Sequence, residues 1–70
     1  MTGQERATIA AAEHVLKAPE AHIAAEPPEC LLEILETILK DLRKIKMLGI
    51  VHRIVRLEIL HEKTRKRLHP

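Results

Sequence analysis

A chain of 70 residues, 46% hydrophobic and 31% charged, has room for one small domain. It contains no Phe, Tyr or Trp, a single cysteine (Cys30), and a net charge of +2 from 12 basic and 10 acidic residues. This composition excludes an internal disulfide framework and removes the aromatic platforms on which single-stranded bases stack or with which an interfacial helix seats itself in a membrane.

A core of this size leaves only about 3–5 kcal/mol of net stability unless something supplements it. With disulfides excluded, a metal and self-association remain. His14, His22, His52, His61 and His69 are numerous for the length, but no two stand at i, i+4, and there is no CxxC or HExxH. No metal or cofactor is therefore expected. Self-association is the expected supplement.

In chain order, Thr2-Gly3-Gln4-Glu5 has the spacing of a capping box, in which a Thr hydroxyl and a Glu carboxylate satisfy each other's backbone N–H groups at a helix start. A helix over Gly3 to Lys17 follows. Its apolar face, Ile9, Ala12, Val15 and Leu16, is mostly small and predicts a docked but marginal element within the segment 1–17. Residues 18–28 read as a connector, because Pro19, Pro27 and Pro28 push the residues before them out of the helical region; Glu20 to Ala25 has length for a turn or two of helix.

Segment 28–70 carries most of the large apolar residues. Pro28 suits a first helical position, and Glu29 and Glu33 place negative charge near the positive end of the helix dipole. Leu31, Leu35, Ile38, Leu42 and Ile45 recur at spacings of four and three, the seam of a coiled coil or bundle. A second apolar stripe, Ile50, Val51, Ile54, Val55, Leu57 and Leu60, points about 120° away from the first when projected along one straight helix. The chain is therefore expected to turn near Gly49, giving a helical hairpin with arms Pro28–Leu48 and Ile50–Leu68; the competing reading, favoured by the absence of a Ser, Thr, Asp or Asn to cap the second arm, is one continuous helix that tolerates an internal glycine at about 1 kcal/mol.

Val51, Val55 and Ile59 project differently from Ile50, Ile54 and Leu57, so the second arm is apolar over more than half its circumference and needs neighbours on two sides. The fold class expected is all-α: a hairpin preceded by a short N-terminal helix, closing as a homodimeric four-helix-type bundle. Leu31, Leu35, Ile38, Leu42, Ile45, Val51, Ile54, Val55 and Leu57 are the candidate core and dimer-interface residues.

Catalytic equipment is missing from the sequence. There is no GxSxG, P-loop or GxGxxG and no serine, and His61 and Glu62, being adjacent on a helix, point about 100° apart. No enzyme activity, small-molecule substrate or membrane association is expected. No run approaches 18 uncharged apolar residues, and Met1–Lys17 has no charged leader before an apolar run, so the expected location is cytoplasmic.

Charge is unevenly placed. Residues 1–35 carry two basic and six acidic side chains, net −4, and residues 36–70 carry ten basic and four acidic, net +6. Arg53, Arg56, Lys63, Arg65, Lys66 and Arg67 are the candidate contacts to a partner. That partner is expected to be a larger protein, regulated or inhibited by the dimer; the competing reading is a nucleic-acid-binding regulator whose basic last helix meets phosphates.

Overall fold

A computed structural model describes residues 2–69 and places them in four helices: α1 (Gly3–Lys17), α2 (Pro19–Ala25), α3 (Pro28–Leu42) and α4 (Ile50–Leu68). The boundaries of the first two helices and the start of the third have local causes. Thr2 caps α1, its hydroxyl accepting from the Glu5 N–H at 3.1 Å while its own N–H donates to the Glu5 carboxylate at 2.9 Å. Ala18 precedes a proline and leaves the helical region (φ −147°, ψ 67°), which ends α1 and lets Pro19 start α2 at its first position. Glu26 and Pro27 are both extended, and they reverse the chain before Pro28 opens α3.

The first arm of the hairpin is shorter than the sequence suggests: α3 stops at Leu42, not Leu48. Antiparallel helices pack about 8–10 Å apart, and one residue at Gly49 cannot span that gap. The helix therefore gives up its last residues to make a link. The link tightens first, with Lys44 N–H bonding to the Asp41 carbonyl and Ile45 N–H to that of Leu42, which turns Ile45 into the core; Leu48 is left 95% exposed. Gly49 then takes the left-handed conformation (φ 86°, ψ −10°) as the residue before α4, and a Cβ there would lie 3.1 Å from an Arg53 guanidinium nitrogen. No side chain caps α4.

Cross-helix pairs give the topology. Arg43 meets Glu58 and His61 meets Glu36, so α3 and α4 run antiparallel; Glu13 meets Arg53 and the Leu16 carbonyl meets Arg56, so α1 runs parallel to α4. The result is a rod of 38 × 17 × 17 Å in which α1, α3 and α4 share one core.

That core is Ala12, Val15 and Leu16 from α1, Leu31, Leu35, Ile38, Leu39 and Leu42 from α3, Ile45 from the link, and Ile50, Leu57 and Leu60 from α4. The small face of α1 does more than expected. Ala12 is completely buried and allows α1 to approach both long helices closely, so the seam of α3 finds its second neighbour within the chain. Thr64 is also buried, its hydroxyl donating to the Leu60 carbonyl at 2.9 Å. Among the described residues no helix is long and apolar enough to cross a membrane.

Candidate functional site

The last helix carries two apolar faces. One holds Ile50, Leu57, Leu60 and Thr64 in the core, with Ile54 half-buried beside them. The other holds Val51, Val55 and Ile59, which remain 73%, 48% and 57% exposed. At about 100° per residue Val55 points roughly 160° away from Leu57, so this second set lies across the helix from the core. Its members are spaced i, i+4, i+8 and form one continuous ridge about two turns long, with Leu48 exposed just before it.

The ridge has charged surroundings. On one side stand His52, Arg56 and Lys63; on the other stands Glu58 with Arg65 behind it, and Glu62 lies on the line of the ridge one turn beyond Ile59. Glu62 and Arg65 bond to each other, an interaction that holds the Glu62 carboxyl below its ordinary value and raises the Arg65 guanidinium. Glu58 pairs with Arg43 across the hairpin at 2.9 Å, and both side chains stay about half exposed.

The nine candidate core and interface residues therefore fall into two groups. Leu31, Leu35, Ile38, Leu42, Ile45 and Leu57 are buried within one chain and Ile54 is half-buried, whereas Val51 and Val55 are exposed. Ile59 belongs with the exposed pair. Its signal in the sequence was the four-residue spacing that it completes.

The six candidate contact residues separate as well. Arg53 donates to the Glu13 carboxylate at 2.9 Å and to the Gly49 carbonyl at 3.2 Å, and Arg56 donates to the Leu16 carbonyl at 3.4 Å. These two arginines fasten the C-terminal end of α1, where orphan carbonyls and the negative end of the dipole favour cations, to the start of α4. That contact also explains how α4 tolerates an arginine in its first turn. Lys63 lies 4.0 Å from Glu20, and Arg65 is bound to Glu62. Lys66 and Arg67 are exposed in the last turn, and no carboxylate pairs with either among the described residues.

The histidines are dispersed. His14 and His22 meet edge to face with ring centroids 5.2 Å apart, His22 contacts Glu26 at 3.2 Å, and His61 contacts Glu36 at 3.1 Å on another side of the molecule. No group of three metal-ligating side chains converges among the described residues. Cys30 is exposed near the start of α3, on the rim of a shallow apolar groove formed with Ala11, Ile34 and Ile38. An open cleft of about 550 Å³ lies between the end of α1 and the start of α4, lined by Leu16, Lys17, His52 and the two fastening arginines.

Compared with known protein families, with curated proteins and with solved structures, the chain has no match.

Proposed function

We propose that this is a non-enzymatic interaction protein: a helical module that self-associates and, as a homodimer, binds a larger protein whose activity it regulates or inhibits. The observation that carries this reading is the exposed ridge of Val51, Val55 and Ile59, opposite the core on the longest helix. β-Branched aliphatic side chains aligned at i, i+4, i+8 and left half or more exposed gain little from the folded monomer, and rows of this kind are what one helix offers another. With the ridge engaged in self-association, the surface left for a larger partner includes the cationic last turn with Lys66 and Arg67, which suits an acidic patch. A cytoplasmic setting fits a chain with one unpaired cysteine.

The competing reading, a nucleic-acid-binding regulator, uses the same basic helix. Against it stand the carboxylate partners of Arg53, Lys63 and Arg65, which would have to be displaced before those side chains met phosphate.

The test has two parts. Light scattering of the intact chain is expected to show a mass near twice 8.0 kDa at high concentration. Affinity capture from a native lysate should then yield a protein whose direct titration with the purified chain weakens only shallowly with salt. A concentration-independent monomer that binds no purified candidate contradicts the reading. Nucleic-acid binding with a steep salt slope puts the competing reading in its place.

A further inference from the structure

The cleft of about 550 Å³ between α1 and α4 gathers more positive charge than the fold uses. Lys17 lines it from α1, and His52, Arg53 and Arg56 line it from α4. Glu13 is the one carboxylate in its wall, and Arg53 already holds it at 2.9 Å. Three permanent cations against one carboxylate leave a formal excess of two. The furrow that Glu36, Glu58, Glu62 and Arg43 line elsewhere on the molecule has the opposite balance, so the excess is a property of this cleft and not of every depression on the surface. Within it, Arg53 is anchored to Glu13 and the Gly49 carbonyl, whereas Arg56 spends one N–H on the Leu16 carbonyl at 3.4 Å and keeps the others. Lys17 and His52 are exposed, and among the described residues neither pairs with a carboxylate.

From this arrangement we infer that the cleft binds a phosphoryl group, with Arg56, Lys17 and His52 as its contacts and Arg53 adding a fixed positive charge. The inference does not rest on the self-association proposed above, and either can fail alone.

The choice of anion follows from the number and direction of the donors. A carboxylate is planar, has two oxygens and is satisfied by one guanidinium, as Glu13 and Arg53 show. A phosphoryl group carries nearly two charges and three outward oxygens, so it can be met from two helices at once: by the guanidinium fork of Arg56, by the ammonium of Lys17 and by the imidazole of His52. The cleft has room for the remainder of a molecule that carries the phosphate. With no Phe, Tyr or Trp in the chain nothing there stacks on a nucleobase, so recognition falls on the phosphate itself. Because Lys17, His52 and Arg56 are exposed to water, the affinity for a small anion belongs in the millimolar to sub-millimolar class. A small phosphorylated molecule and a phosphorylated protein side chain supply the same chemistry.

Titration of the intact chain with pyrophosphate at low salt, followed through its backbone amide resonances, tests the cleft. Saturable shifts are expected, largest around Lys17, His52 and Arg56. Lys17→Gln and Arg56→Gln are each expected to weaken binding about fivefold, while the double variant Lys66→Gln, Arg67→Gln, which removes two charges from the last turn, stays within about twofold of the parent. A double variant that weakens binding as much as the cleft variants, or shifts spread evenly over the basic residues, overturns the inference, because the anion is then only screening the whole helix. Arg56 also bonds to α1, so its variant is checked by circular dichroism; Lys17→Gln removes no contact within the fold and decides the matter if Arg56→Gln unfolds. A phosphoserine peptide that binds at least as tightly as pyrophosphate assigns the group to a protein, and pyrophosphate binding without peptide binding assigns it to a small molecule; both uphold the cleft. An unphosphorylated acidic peptide that binds as tightly as its phosphorylated form overturns the preference for phosphate. An oligonucleotide that binds more tightly than pyrophosphate and depends on Lys66 and Arg67 as much as on Arg56 overturns the cleft in favour of a phosphate-backbone interface along α4.

Discussion

The two faces of α4 are built from the same kinds of side chain and have opposite fates. Leu57 and Leu60 point inward and are at most 4% exposed, while Val55 and Ile59, one or two residues away, are about half exposed. A residue's hydrophobicity states that burial is favourable; only the position of neighbours decides whether the burial occurs within the chain. On α4 the inward neighbours are α1 and α3, and among the described residues nothing covers the outward face. The inward face therefore accounts for the fold and the outward face is the candidate for function.

The comparison is broken most directly by truncating one residue on each face. Leu57→Ala removes a side chain with no exposed surface and is expected to cost about 2–5 kcal/mol in urea unfolding, a large share of the stability of so small a domain. Val55→Ala, measured at a dilution where the chain is monomeric, is expected to change stability by less than about 0.5 kcal/mol. Equal losses at the two sites would mean that the outward face is core.

The inward face can be tested from its other side. Ala12 on α1 is completely buried, and Ala12→Leu is expected to cost about 1–3 kcal/mol by forcing α1 away from α3 and α4. If Ala12→Leu were neutral, α1 would not be sealing the core, and the seam of α3 would again require a second chain.

A smaller effect is expected at the turn. Gly49 holds a positive φ, so Gly49→Ala should cost about 1–2 kcal/mol from the left-handed backbone, aggravated by the nearby Arg53 guanidinium. Equilibrium unfolding measures it. The loss should fall on the hairpin as a whole, since the turn sets the register of α4 against α3.

The smallest effect is at the chain start. Glu5 is held below its ordinary value of 4.5, chiefly by the hydrogen bond from the Thr2 backbone. A carboxylate with a depressed folded-state value contributes stability that is fully present above its unfolded value and is lost as pH falls through the folded one. Helicity of α1 should therefore hold above pH 4.5 and decline below it. The same acid profile in Thr2→Ala would show that the capping box is not the cause.

Local chemistry was the part of this fold most legible in the sequence. The capping box of Thr2 and Glu5, the role of Pro28, the seam from Leu31 to Ile45 and a turn at Gly49 all follow from residue type and spacing, because each depends on atoms a few residues apart. The end of α3 at Leu42 was hidden because residues 43–48 contain no breaker; the stop is imposed by the distance the link must cover. The weight of α1 was also hidden. Its small side chains suggested a weak element, but Ala12 stabilises by letting helices approach rather than by its own area.

For the candidate site, the apolar excess on α4 was legible from its circumference, and the separation of Val51 and Val55 from the core was not. Spacing places residues on faces. It does not state which face the rest of the chain will cover. The basic residues teach the same lesson, since Arg53 and Arg56 read as candidate contacts to a partner and instead clasp α1 through contacts forty residues away in sequence.

The central claim, that the outward face of α4 exists for association and the inward face for folding, is tested most directly by the melting temperature as a function of protein concentration for the parent chain and for Val55→Glu. The parent is expected to melt higher as concentration rises, because association draws on the folded state, while Val55→Glu melts at a constant temperature close to the dilute-limit value of the parent. A Val55→Glu chain whose melting temperature climbs with concentration as steeply as the parent's, or one that is unfolded at every concentration, would contradict the claim.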